Sequence, residues 1–152
     1  MSKAYLKSPI GILEIVASEN GICEINFVDK FEKLAVKDEN LKLCLDELEA
    51  YFKGELKKFS VRLDLKTTKF RAKIYDVLQK VPYGETTTYA TLALAAGHKN
   101  AYRAAGSANA KNPVPIIIPC HRVLSSSGLG GYSGGEGLPT KIWLLEHEAK
   151  HK

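Results

Sequence analysis

The chain has 152 residues, with 22 Lys/Arg against 17 Asp/Glu for a formal net charge of +5 and 45% hydrophobic residues, enough to bury one ordinary core or two small ones. No run of 18 apolar residues occurs, and the start Met1-Ser2-Lys3-Ala4-Tyr5 lacks a signal-like apolar stretch, so no membrane span and a cytoplasmic location are expected. Cys23, Cys44 and Cys120 are odd in number and lack metal-ligand spacing, which argues against a disulfide framework or a zinc site and leaves a Cys23–Cys44 bridge open.

Lys3–Leu6 and Ile10–Ala17 predict strands broken at Ser8-Pro9, and after the turn Glu19-Asn20-Gly21 the alternation Ile22–Val28 predicts the hairpin partner. Leu41, Cys44, Leu45, Leu48 and Phe52 recur at helical spacing and Gly54 follows as a stop, while Val61–Leu65 predicts a further short strand. Cys23 and Cys44 fall in apolar patterns and read as core. Residues 1–65 therefore form an expected structural lobe, a small antiparallel sheet plus a helix, and Leu65–Lys69 is the candidate boundary.

From residue 66 onward the pattern turns helical. Phe70, Ile74, Val77, Leu78 and Val81 give an amphipathic helix ended by Pro82-Tyr83-Gly84. Thr88 can cap a second helix, Tyr89–Ala96, which Gly97 stops; Asn100 can cap a third, from Ala101 to about Lys111. Two short helices joined by Gly97-His98-Lys99-Asn100 have helix-turn-helix proportions. The third is slim, since seven of the ten residues Ala101–Ala110 are Ala, Gly or Ser, and Arg103 projects from it with little competition. Charge is concentrated here: residues 66–125 hold nine Lys/Arg and two Asp/Glu, against ten and twelve in residues 1–65. Such a segment suits a phosphate-contacting face and equally a solvated helix surface.

The apolar run Ile116-Ile117-Ile118 predicts a buried strand that breaks at Pro119, placing Cys120 beside His121. A thiol is mostly protonated near neutrality, so a nucleophilic role needs a base, and His121 is the candidate. By itself the pair is also what a buried structural cysteine beside a histidine would look like. Gly128–Gly137 reads as a flexible loop carrying Tyr132 and Ser133, and Leu138-Pro139 opens a final helix in which Ile142, Leu145 and Ala149 share one side, with Trp143 expected as packing. Overall, an α/β chain of the α+β type is expected, the N-terminal lobe followed by a mostly helical lobe, 66–152, with a helix-turn-helix.

Three motifs extend the argument: Asn112-Pro113-Val114-Pro115, Ile118-Pro119-Cys120-His121-Arg122-Val123 and Gly131-Tyr132-Ser133-Gly134-Gly135. Together they resemble the methylated-DNA–protein-cysteine methyltransferase family of O6-alkylguanine repair proteins, over about Thr68 to Glu148. The resemblance implies irreversible, single-turnover transfer of an alkyl group from O6-methylguanine in double-stranded DNA to Cys120, by a monomer needing no metal or soluble cofactor. It implies a Glu–His–water–Cys relay, assigning Glu148 and His121, and a turn held by Asn112. Arg103 would fill the gap left by a flipped base, with Ala104 and Ser107 on the same groove-facing helix and Tyr89 crowding the target phosphate. Tyr132, Ser133, Val123 and Pro115 would form the base pocket. It also implies work wherever DNA lies, at the nucleoid or in a nucleus. Tyr102 departs from the small residue such a helix usually carries. A lesion sensor without transfer and a cysteine hydrolase are the rival classes.

Overall fold

The computed structural model describes residues 1–152, which divide into two compact units at Lys66/Thr67. In the first, Leu13, Ile15 and Ala17 alternate along one strand and are buried at 0–1% exposure, the period-two pattern that puts one face of a sheet against a core. Strands β1 (Ser2–Ser8), β2 (Gly11–Ser18) and β3 (Gly21–Val28) form an antiparallel sheet in that order. Helix α1 (Glu39–Phe52) packs against it, its first turn capped by the Asp38 side chain on the Asn40 N–H. Tyr51, not the expected Phe52, is the fully buried aromatic at its end.

The strand expected at Val61–Leu65 is only a single parallel bridge, Ile22 with Leu63. Its backbone is satisfied by side chains of α1 instead of by a ladder. Asn40 exchanges two hydrogen bonds with the Arg62 main chain, at 3.0 and 3.1 Å, and the Glu47 carboxylate accepts from the amides of Ser60 and Val61 at 3.0 and 3.2 Å. Both side chains are buried because they do this work for the backbone. Cys23 and Cys44 are both free thiols, and burial pushes the Cys44 thiol up to about 12.

The second unit is built on helices. In α2 (Lys69–Gln79) the Thr68 side chain accepts from the Arg71 N–H, and Ile74, Tyr75 and Leu78 form the buried stripe. Thr88 likewise caps α3 (Tyr89–Ala95). Gly97, with φ +85°, closes α3: its N–H and that of His98 turn back to the Leu94 and Ala93 carbonyls, a reversal that favours glycine. Helix α4 (Tyr102–Ala110) follows and packs on α2 and α3. Asn100 is not its cap; Ala101 precedes the helix without a side-chain cap bond, because the chain reaches α4 through a turn in which the Ala101 N–H meets the His98 carbonyl at 2.9 Å.

Ile116–Ile118 is not a strand. The segment is a tight loop, leading to one 3-10 turn, Cys120–Arg122. The two-residue strands β4 (Thr87–Thr88) and β5 (Val123–Leu124) pair in parallel beyond it. Helix α5 (Leu138–Lys150) closes the unit. Its buried side is Thr140, Lys141, Leu144, His147 and Glu148, whereas Ala149 is exposed. The apolar spacing points to a different side because the buried one is largely polar and paired inside the protein. Trp143 stacks on His147 one turn on, rings 4.6 Å apart. No helix is long and apolar enough to cross a membrane.

Candidate active site

The loop before Cys120 is held by one side chain. Asn112 donates through Nδ2 to the Ile118 carbonyl at 2.7 Å and accepts through Oδ1 from the Val114 N–H at 2.9 Å. Between them Ile116 adopts φ +76° while 1% exposed. A β-branched residue rarely tolerates that conformation, so the clamp and the burial of its side chain must outweigh the strain. The result is a sharp turn, with the Cys120 N–H on the Ile118 carbonyl at 2.8 Å, that delivers the sulfur to the start of the 3-10 turn at 5% exposure.

Burial pushes the Cys120 thiol up to about 11, against opposing pulls from Asn112, its own backbone, Lys141 and Tyr132. At neutral pH it is a thiol, and attack by it requires a base.

The next residue on the same 3-10 turn is an imidazole. His121 is fully buried, and its Nε2 lies 2.6 Å from Oε2 of Glu148. Arg122 grips the same carboxylate in a fork, Nε to Oε1 at 2.8 Å and Nη2 to Oε2 at 3.0 Å, while its Nη1 donates to the Val81 carbonyl at 2.7 Å. The Gly84 N–H adds a bond to Oε1 at 3.1 Å. Burial alone would favour the neutral acid, but the His121 contact and the Arg122 charge hold the Glu148 carboxyl well below the ordinary carboxylate range. An ionised carboxylate only accepts, so Nε2 carries the His121 proton and the neutral ring presents a bare lone pair at Nδ1. That Nδ1 is buried and has no hydrogen-bond partner. Burial lowers the His121 pKa, with Glu148 opposing, which keeps the ring neutral and able to accept.

In front of the sulfur is a cavity of about 270 Å3 lined by Tyr89, Asn109, Ala110, Cys120, Gly131, Tyr132 and Ser133. The Tyr132 hydroxyl is buried and, without a regular hydrogen bond, interacts with the Cys120 sulfur. Ser133 spends its hydroxyl on the Ala110 carbonyl at 2.7 Å. Gly130, with φ +71°, passes so close to Tyr89 that an added Cβ would lie 3.2 Å from the phenol oxygen. Val123 and Pro115, expected at the pocket, are buried outside this lining. Val123 pairs with Thr87, its carbonyl taking the Lys141 ammonium at 2.6 Å, and Pro115 bridges to Ile118. Arg103, Ala104 and Ser107 share the exposed side of α4, opposite buried Ala105, Ala108 and Asn109. The Arg103 guanidinium lies 6.0 Å from the centre of the Tyr102 ring, itself half exposed.

Lys141, Arg122 and Asn109 are site residues that the sequence does not single out. Lys141 is fully buried, and its ammonium donates to the carbonyls of Val123, Leu129 and Gly131, pinning the glycine-rich loop. The available signal was its position: a lysine in the first turn of a helix opposes the dipole there, so it must be used elsewhere. Arg122 stands inside the Ile118–Val123 motif, where its residue type alone assigns it no role.

The fold and site define a helix-turn-helix protein whose buried thiol lines a small cavity and is followed, on the same turn, by an imidazole held by a buried carboxylate. Residues 69–150 match the 6-O-methylguanine DNA methyltransferase DNA binding domain and residues 1–65 match the ribonuclease-like domain of the same proteins. The methylated-DNA–protein-cysteine methyltransferase of Methanosarcina acetivorans is 41% identical over 155 residues, 97% of this chain and 98% of its own. That of Mycobacterium leprae is 40% identical over 153 residues, covering 97% and 91%. The crystal structure of Mycobacterium tuberculosis O6-methylguanine methyltransferase superposes with a TM-score of 0.86 at 36% identity, covering 99% of this chain and 93% of that one. The DNA complex of the mycobacterial protein gives 0.86 at 38%, covering 98% and 93%. The chain belongs to the methylated-DNA–protein-cysteine methyltransferase family.

Proposed function

We propose that this chain repairs DNA by direct reversal, taking the alkyl group of O6-methylguanine onto Cys120 in a single irreversible event. The observation that carries the reading is the cavity lined by Cys120, whose 3-10 turn also carries His121 paired to the buried Glu148. Nδ1 of His121 accepts the thiol proton through a bridging water. The thiolate then attacks the methyl carbon in line with the C–O6 bond: the S–C bond forms, the C–O6 bond breaks, and its electron pair passes into the guanine ring. The relayed proton returns to the departing base at N1, so the products are guanine and S-methylcysteine. Tyr132 supports the charge that develops on O6. A thioether has no leaving group that this site can activate, so each chain acts once.

The partner is double-stranded DNA. The base enters the cavity only after leaving the stack. Arg103, with Ala104 and Ser107 beside it, faces the minor groove and fills the gap, and Tyr89 at the start of α3 holds the rotated nucleotide. The protein works as a monomer in the compartment that holds the DNA, the cytoplasm and nucleoid of a prokaryote or the nucleus of a eukaryote.

Duplex DNA carrying radiolabelled O6-methylguanine tests this. Label should move to protein, at most once per chain and not at all in Cys120→Ser. Tight binding without transfer would identify a lesion sensor, and repeated turnover a cysteine hydrolase; either result removes the reading.

A further inference from the structure

Five residues of α4 are exposed, Tyr102, Arg103, Ala104, Ser107 and Ala110, and only the first two carry side chains longer than a serine's. A slim helix lies close to another surface because little on it reaches past Cβ. A tyrosine at its first position breaks that profile, so on docking the ring either finds a place in the partner or holds the helix off. Tyr102 is 50% exposed, which leaves half of its surface for such a partner.

Its position relative to the cavity argues for a place. Tyr102, Gly106 and Asn109 follow at i, i+4 and i+7 along one edge of α4. Asn109 lines the thiol cavity, and Gly106 lies against the Tyr89 ring, where an added Cβ would be 3.7 Å away. Tyr102 thus stands on the edge that leads to the cavity, about 10 Å along the helix from Asn109. Arg103 is beside it, with its guanidinium 6.0 Å from the ring centre, the outer limit of a cation–π contact. From Thr86 to Gly135 the chain has no Asp or Glu. No carboxylate of α3, α4 or the turn between them therefore repels a polyanion laid along this edge.

The next step rests on the reading that Arg103 fills the gap left by an extruded base. A guanidinium is smaller than a base pair, so part of the neighbouring nucleotide stays uncovered, and an aromatic ring alongside is suited to cover it. We propose that Tyr102 is a further DNA-contact residue, an aromatic wedge whose ring packs against the nucleotide bordering the gap, beside the Arg103 guanidinium. The contact is made through the ring, not through the phenol hydroxyl, and it neutralises no phosphate.

The experiment measures binding of an O6-methylguanine duplex by the full chain carrying Cys120→Ser, which keeps the complex from being consumed. Adding Tyr102→Ala should weaken binding about fivefold or more, the low end of what one aromatic–base contact contributes. Tyr102→Phe, which keeps the ring, should stay within about twofold of the parent, and neither change should alter the slope of binding against salt. With Cys120 intact, alkylation of Tyr102→Ala by free O6-benzylguanine should proceed within about twofold of the wild-type rate, which shows the fold and the thiol to be sound. When Arg103→Ala is already present, Tyr102→Ala should still weaken binding about threefold or more. Unchanged or tighter binding in Tyr102→Ala overturns the proposal. So does an equal loss in Tyr102→Phe, which would assign the contact to the hydroxyl, and so does no further loss beside Arg103→Ala, which would mean that the ring only steadies the arginine. Absence of duplex binding by the parent chain would overturn both this contact and the repair reading. Binding without methyl transfer by the wild type, with Tyr102→Ala still weaker, would overturn the alkyl-transfer reading alone and support the contact.

Discussion

On the proposed reading His121 is the base for the Cys120 thiol, and its protonation sites are dictated by its neighbours. Glu148 fixes the proton on Nε2 and leaves Nδ1 free to accept, while burial holds the ring neutral. In the wild type, alkylation should therefore change little with pH across the neutral range. In His121→Gln the thiol must ionise unaided, so the rate should rise about tenfold per pH unit toward about 11, the region to which burial pushes Cys120. Stopped-flow alkylation by O6-benzylguanine from pH 6 to 10 measures both curves, and superimposable curves would remove His121 from the relay. Glu148 carries a stability role as well. Its folded pKa lies below the ordinary 4.5, so its contribution is complete above that pH and drains away as pH falls below it. Glu148→Gln leaves the buried Arg122 charge without its counterion and should cost about 3–5 kcal/mol at pH 7. The variant's stability should also fall less steeply between pH 4.5 and 2 than the wild type's, read by urea denaturation.

The elements differ in how far the sequence discloses them, and the difference has a physical cause. Starts of α2 and α3 are legible because Thr68 and Thr88 do locally what their residue type favours. His121 and Glu148 pair at 2.6 Å, and the motif that shows Cys120 and His121 in the sequence does not show that contact or the tautomer it sets. The segments that mislead are satisfied from a distance: Asn112 folds the Ile116–Ile118 run into a loop, and Asn40 with Glu47 replaces a ladder at Ser60–Arg62. Helix α5 misleads because Lys141 and Glu148, ordinarily surface residues, are its buried ones. Lys141→Met keeps the volume but frees three carbonyls, so amide exchange at Leu129–Gly131 should quicken at least tenfold; unchanged protection would mean that the loop is held otherwise. On α4, Arg103→Ala should slow transfer from duplex DNA much more than alkylation by free O6-benzylguanine, which needs no base flipping. Equal losses would exclude Arg103 from extrusion.

Across the whole molecule, charge is divided unevenly between the two units. The first, with ten Lys/Arg and twelve Asp/Glu in residues 1–65, lines no part of the thiol cavity; residues 66–125 carry nine cations against two acids. If three or more of those cations neutralise phosphates, the logarithm of the duplex binding constant should fall against log salt with a slope of about −3 or steeper. A flat response would leave the charge without a role. All of this depends on one chemical event at one atom. Mass spectrometry of the chain after incubation with O6-methylguanine duplex measures it directly. The account predicts one added CH2 on the peptide bearing Cys120 and guanine restored in the DNA; an added group on another residue, or unmodified protein beside repaired DNA, would contradict it.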